Sequence, residues 1–234
     1  MMKINRSINN FVRIDELMLI LAVYILYTVM ITLTASDLTD SMYSSFTYYI
    51  FVHFILLPCY LFFIGRHDTY VTSFYCYNRF KTPVNAFLTR ICYLLIENIL
   101  FIFPYIVLIF IFAMASDVNV TAVGLLLCGL NAALSFLVVG IVSCFISVKW
   151  RIDYLGFFVC YLILCVDYLL TSGMLMVDFS FYYVPMLEVF IFSDTLMILK
   201  SVLFSFIKVV VAFGVTYSVF KIKVKNVKEC INTK

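Results

Sequence analysis

The chain has 234 residues, of which 65% are hydrophobic and 12% charged, with a formal net charge of +3. A soluble domain carries about 25% charged residues, so this composition cannot cover a globule with polar surface and points to lipid as the solvent. Apolar runs take up the length and leave no stretch of 50 or more residues for a soluble domain, which about marks the lower size of one.

Lys3, Arg6 and Arg13 precede the first apolar run. Ile4, Ile8, Phe11 and Val12 fall at near-helical spacing, with Asn5, Arg6, Asn9 and Arg13 between them. That pattern predicts an interfacial amphipathic helix over residues 1–16; the alternative is a solvated N-terminus. The run that follows is long and has no small-x-small exit, which predicts a retained span rather than a cleaved leader. Six spans are expected, at about 17–35, 46–64, 91–115, 121–148, 154–172 and 195–220. Each is long enough, or nearly so, for a hydrocarbon core of roughly 30 Å, and helices are expected because backbone polar groups in lipid must be satisfied internally.

Charge alternates between the intervals. The N-terminus, residues 65–90 (Arg66, Arg79, Lys81, Arg90), the turn with Lys149 and Arg151, and the tail 221–234 with its five lysines are basic. The other intervals hold Asp37 and Asp40, then Asp117, then Asp178, Glu188 and Asp194. Basic residues concentrate on the cytoplasmic side of membrane proteins, so both termini are expected there. Residues 173–194 are too apolar for an exposed loop and too broken for a clean span. They predict a re-entrant segment in the outer leaflet, with a seventh span as the alternative. The whole chain reads as one membrane domain.

The interval 65–90 is basic yet half apolar. Tyr70, Phe74 and Tyr77 are spaced by four and three, so they share one face of a short helix around Thr69–Tyr77. Such a helix can lie on the inner membrane surface or dock in a groove of another protein.

Ionisable residues inside the spans are Glu97, Asp167 and Lys208. A charge at mid-bilayer costs at least about 2.5–3.5 kcal/mol on insertion scales, so such groups face the bundle interior and find partners. Two readings stay open: they line a translocation path, or Glu97 pairs with a nearby basic side chain as a structural tie. Glu97 with Lys208 is one conceivable pair. Asn98, Asn131 and Ser135 join Glu97 and Lys208 as path candidates. No phosphate-binding glycine loop and no HExxH occurs. His53 and His67 lie on different elements and offer no metal cage. The eight cysteines show no CxxC spacing and read as small apolar fillers.

Six spans, an interfacial helix before the first, a cytosolic amphipathic helix between the second and third, and a broken apolar hairpin between the fifth and sixth resemble the membrane subunit of a type-2 ABC exporter. The stretch YNRFKTPVNAFLTRICYLL, residues 77–95, is similar to the basic-aromatic-basic stretch before the third span of small permeases from Gram-positive bacteria. Phe87 stands where that pattern commonly has Trp. The resemblance implies a bacterial plasma-membrane permease working as a homo- or heterodimer, with no catalytic residue or cofactor of its own. ATP and magnesium would bind a separate ATPase subunit, and Thr69, Tyr70, Ser73, Phe74, Tyr77 and Arg79 would form the coupling helix that docks on it. A hydrophobic or amphipathic cargo is expected, a peptide or toxin foremost, and no nucleic acid. The alternatives are a non-transporting membrane adaptor or sensor, whose 65–90 segment binds a partner without ATP, and an intramembrane peptidase, which would depend on single residues such as Glu97, Asp167, His67 or Cys76.

Overall fold

The computed structural model describes residues 20–26, 28–29, 52–72, 82–115, 122–169 and 195–232. The expected interfacial helix 1–16, the re-entrant segment 173–194 and most of the first expected span lie outside the described residues. Among those described, the structure is all helical apart from the cap and turn residues, with no strand.

Residues 20–26 and 28–29 are helical. A π-helical turn, Val52–Leu56, leads directly into α1, Leu57–Thr72. Pro58 accounts for the widened turn, since it has no N–H to give the carbonyl four residues earlier. Helix α2 spans Pro83–Ala115. Its start has a local cause: Thr82 caps it, with the Asn85 N–H donating to Thr82 Oγ1 at 3.2 Å and the Ala86 N–H to the Thr82 carbonyl at 3.2 Å. Pro83 then occupies the first helical position, where its missing N–H costs nothing. Helix α3 spans Ala122–Trp150, α4 Leu155–Leu169 and α5 Thr195–Asn232.

Among the described residues, three stretches are long and apolar enough to cross a bilayer: Pro83–Leu108, Gly129–Trp150 and Val202–Lys221. With a composition this apolar, they mark a membrane protein. Gly129–Trp150 is the most buried of the three and Val202–Lys221 the least. Helix α3 is therefore the central post, and α1, α2, α4 and α5 all pack on it.

Residues 65–90, read from the sequence as one cytosolic interval, are divided. Residues 65–72 continue α1, and 83–90 open α2 eight residues before the expected span. The Thr82–Pro83 start signal explains the earlier beginning. Arg90 is fully buried rather than on the surface. The interval still holds Arg66, Arg79 and Lys81 against Asp68, so the charge alternation survives its removal.

Helices α3 and α4 form a tight hairpin. Arg151 (φ 57°) and Tyr154 (φ 58°) adopt the left-handed conformation, which ends α3 and turns the chain. The Ser147 hydroxyl accepts the Gly156 N–H at 3.1 Å, satisfying one of the open donors at the start of α4. Gly156 packs so closely on α3 that a Cβ there would overlap the Ser143 carbonyl. At the far side, Gly214 of α5 has nothing within 4 Å of an added Cβ.

Gly156→Ala is therefore expected to destabilise the protein by about 1–3 kcal/mol, the usual range for overpacking. Gly214→Ala is expected to be neutral or stabilising by up to about 1 kcal/mol, since alanine is the better helix former. Thermal unfolding of the detergent-solubilised variants reads both, and equal effects at the two sites would contradict the close α3–α4 approach.

Candidate functional site

The strongest polar feature is a buried ionic cluster where α1 meets α2. Arg90 and Glu97 are seven residues apart on α2, two turns, and so share a face. Arg90 Nη1 donates to Glu97 Oε2 at 3.0 Å. Its Nε donates to Asp68 Oδ1 of α1 at 2.7 Å, and its Nη2 to the Ile64 carbonyl at 2.6 Å. His67 Nδ1 lies 3.1 Å from Glu97 Oε1. Arg90, Asp68 and Glu97 are fully buried and His67 is 2% exposed, so the cluster is shut away from water.

The guanidinium suits this role. It holds its charge at any relevant pH and presents a planar fork of donors, and here that fork reaches two carboxylates and a carbonyl. Asp68 lies beyond the apolar stretch expected for the second span. Burial pushes its carboxyl above the ordinary value, and the charge and hydrogen bond of Arg90 oppose that push. Ser147 of α3 also bonds Asp68, and the Cys144 thiol of α3 lies within the field of Arg90, so the central helix closes the cluster.

Glu97 pairs with Arg90 and His67, not with Lys208. The physical reason is reach: Arg90 sits on the same face of the same helix, whereas Lys208 is on α5. Its ammonium lies 5.0 Å from the Phe204 ring centroid and interacts with the charge of Asp167 on α4. The other path candidates are buried; Asn98 and Asn131 tie helices together, whereas Ser135 bonds within α3. Asn98 Nδ2 donates to the Ala133 carbonyl at 3.0 Å, joining α2 to α3. The Ser205 hydroxyl donates to Asn131 Oδ1, joining α5 to α3. Ser135 Oγ donates to the Asn131 carbonyl at 3.0 Å. Asn98 Oδ1, Tyr60 Oη and Ser143 Oγ are buried with no hydrogen-bond partner among the described residues.

Of the expected coupling residues, Thr69 and Tyr70 belong to the last turn of α1. Ser73, Phe74, Tyr77 and Arg79 lie outside the described residues. Phe87, part of the motif before the third span, is fully buried. It packs on Phe220 (4.8 Å between centroids) and Phe213 of α5 and on Phe145 of α3. Among the described residues no group of three or more His, Cys, Asp or Glu is placed to hold a metal ion.

His67, Asp68 and Arg90 were not picked out by sequence reasoning as a unit. The available signals were the Arg90–Glu97 spacing and a His-Asp pair directly after an apolar run. No protein family, curated protein or solved structure compared with the chain matches it.

Arg90→Met is expected to lower stability by about 3–5 kcal/mol, because it leaves two carboxylates buried without their cation. Adding Asp68→Asn and Glu97→Gln to it should recover a substantial part of the loss, which a surface arginine would not require. Monodispersity and melting temperature in detergent read the series; an Arg90→Met protein as stable as the parent would refute the pairing.

Proposed function

We propose that this chain is the membrane-spanning permease subunit of an ATP-driven exporter of the type-2 ABC class. In this reading six helices span a bacterial plasma membrane, with both termini in the cytoplasm. A separate subunit binds ATP and magnesium and hydrolyses the nucleotide. The permease pairs with a second copy or a similar chain, and the cargo is a hydrophobic or amphipathic peptide or toxin.

One observation carries the proposal. The segment 73–81, which includes Phe74, Tyr77 and Arg79 of the expected coupling helix, joins two helices clamped together at its base. Arg90 binds Asp68 and the Ile64 carbonyl of α1 while holding Glu97 of its own helix. A push on 73–81 by a partner would therefore move α1 and α2 as one piece instead of bending the connection. Helix α2 would carry that movement far, since its 33 residues extend about 50 Å at roughly 1.5 Å per residue. The fully buried Phe87 ties the same region to α3 and α5 through Phe145, Phe213 and Phe220, giving the push a second route into the bundle. Alternating access then follows: closure of the ATPase pair drives the coupling segments, and the clamped helices reorient around α3.

The test is co-purification of the tagged chain from its native membrane. An ABC ATPase subunit is expected to accompany it, and Phe74→Asp is expected to lower ATPase retention or uncouple ATP turnover from transport by about tenfold, the effect of losing roughly 1.4 kcal/mol of docking. Recovery without any ATPase under mild extraction would overturn the proposal in favour of an adaptor or sensor.

A further inference from the structure

An open groove runs between the helical segment 20–26, α1 and α2. Ile20, Val23, Leu56, Cys59 and Phe63 supply its apolar wall, and Arg66 closes one end. Leu56, Cys59, Phe63 and Arg66 follow one another by three, four and three residues, so the wall is one face of a helix. Ten residues separate Leu56 from Arg66, a run of about 15 Å along the axis.

The groove is apolar by construction. The polar tip of Tyr24, which also lines it, is turned away, because its hydroxyl donates to the Phe101 carbonyl at 2.6 Å. That bond engages the tyrosine's one polar side-chain atom on α2, so only its ring faces the groove. Among the described residues of the lining, the one charged side chain is half-buried Arg66. Arg66 already interacts within the protein, and a guanidinium, with five N–H donors, can serve more than one group at a time.

Size and charge select the occupant. The cavity holds about 80 Å³, far below the roughly 300–1,000 Å³ that encloses a drug-sized ligand. The space is too small to enclose a whole ligand, but as an open groove it can seat one side of a slender chain lying lengthwise, the rest of the chain remaining outside it. On the orientation set by the basic intervals, Arg66 sits just past the inner end of the second expected span, at headgroup depth. We infer that the groove is a lipid site, holding one acyl chain of an anionic inner-leaflet phospholipid whose phosphate rests on Arg66. This does not depend on the chain being a permease.

Native mass spectrometry of the full-length chain in detergent tests this, with phosphatidylglycerol and phosphatidylcholine supplied separately at equal concentration. One phosphatidylglycerol molecule should be retained about tenfold more strongly than phosphatidylcholine, the scale of one charge-assisted contact. Arg66→Gln should reduce that ratio to near one while leaving weak retention of both lipids. Cys59→Trp, which fills the groove, should abolish retention of both. Both variants are compared after matching the parent in elution volume, and Arg66→Gln leaves the apolar wall intact should the larger side chain prevent folding. Equal retention of the two lipids by the parent, an unchanged preference in Arg66→Gln, or undiminished binding in a folded Cys59→Trp would each overturn the inference.

Discussion

An arginine without water dictates the inner part of this bundle. Arg90 is fully buried, and an ion taken out of water loses several kcal/mol even after its surroundings relax. Each contact in the cluster offsets part of that loss. Asp68 and Glu97 supply charge, the Ile64 carbonyl takes a further donor, and His67 Nδ1 stands 3.1 Å from the second oxygen of Glu97. The arrangement fixes how α1 stands against α2. A shift of α1 by one residue would turn Asp68 about 100° away from the guanidinium and leave charges stranded.

The central helix tolerates such demanding neighbours because small residues let them approach. Gly156 of α4 meets the Ser143 carbonyl, Gly140 meets Tyr60 and Leu94, and Gly129 meets Ile106. Aromatic rings fill what remains. Tyr60 packs edge-on to Phe101 and Phe136, and Phe220 meets Phe87 and Phe145. Close packing matters more here than in a water-soluble core, since lipid tails are as apolar as leucine and give no hydrophobic drive for helices to associate. Asn98 and the Asn131–Ser205 pair add direct interhelical bonds. Helix α5, with most of its described apolar side chains outward, is held by its long run against α3 and by the phenylalanine cluster.

Much of the helical layout was readable from residue order. Long apolar runs located the helices, and Thr82–Pro83 carried the start of α2 in plain view, although the apolar count alone placed it at residue 91. Arg90 was harder. Counted by charge it looked like one more inner-surface base, because a charge tally cannot distinguish an arginine in the headgroups from one paired inside the bundle. Its separation from Glu97 held the missing information, but the completing partners come from α1, across a connection whose geometry no local rule supplies. The same holds for Asn98 and Asn131: their polarity within apolar runs was evident, while the bonds they form depend on which helices become neighbours; Ser135 instead bonds the carbonyl four residues back in its own helix. Residue order likewise left the partner of Lys208 open, with Glu97 only one conceivable acid; the lysine interacts with Asp167.

The arrangement of the cluster also bears on how the protein enters its membrane. Arg90 and Glu97 belong to one helix and bond to each other directly, so α2 can neutralise its own two charges before any other helix has docked. It can leave the translocation machinery as a self-compensated segment, carrying a dipole in place of two bare ions. Asp68 and His67 need no such early pairing, because they follow the apolar stretch of α1 and can wait in the headgroup layer. The buried cluster can thus be assembled late, by α1 sliding its polar end onto a site that α2 has already prepared.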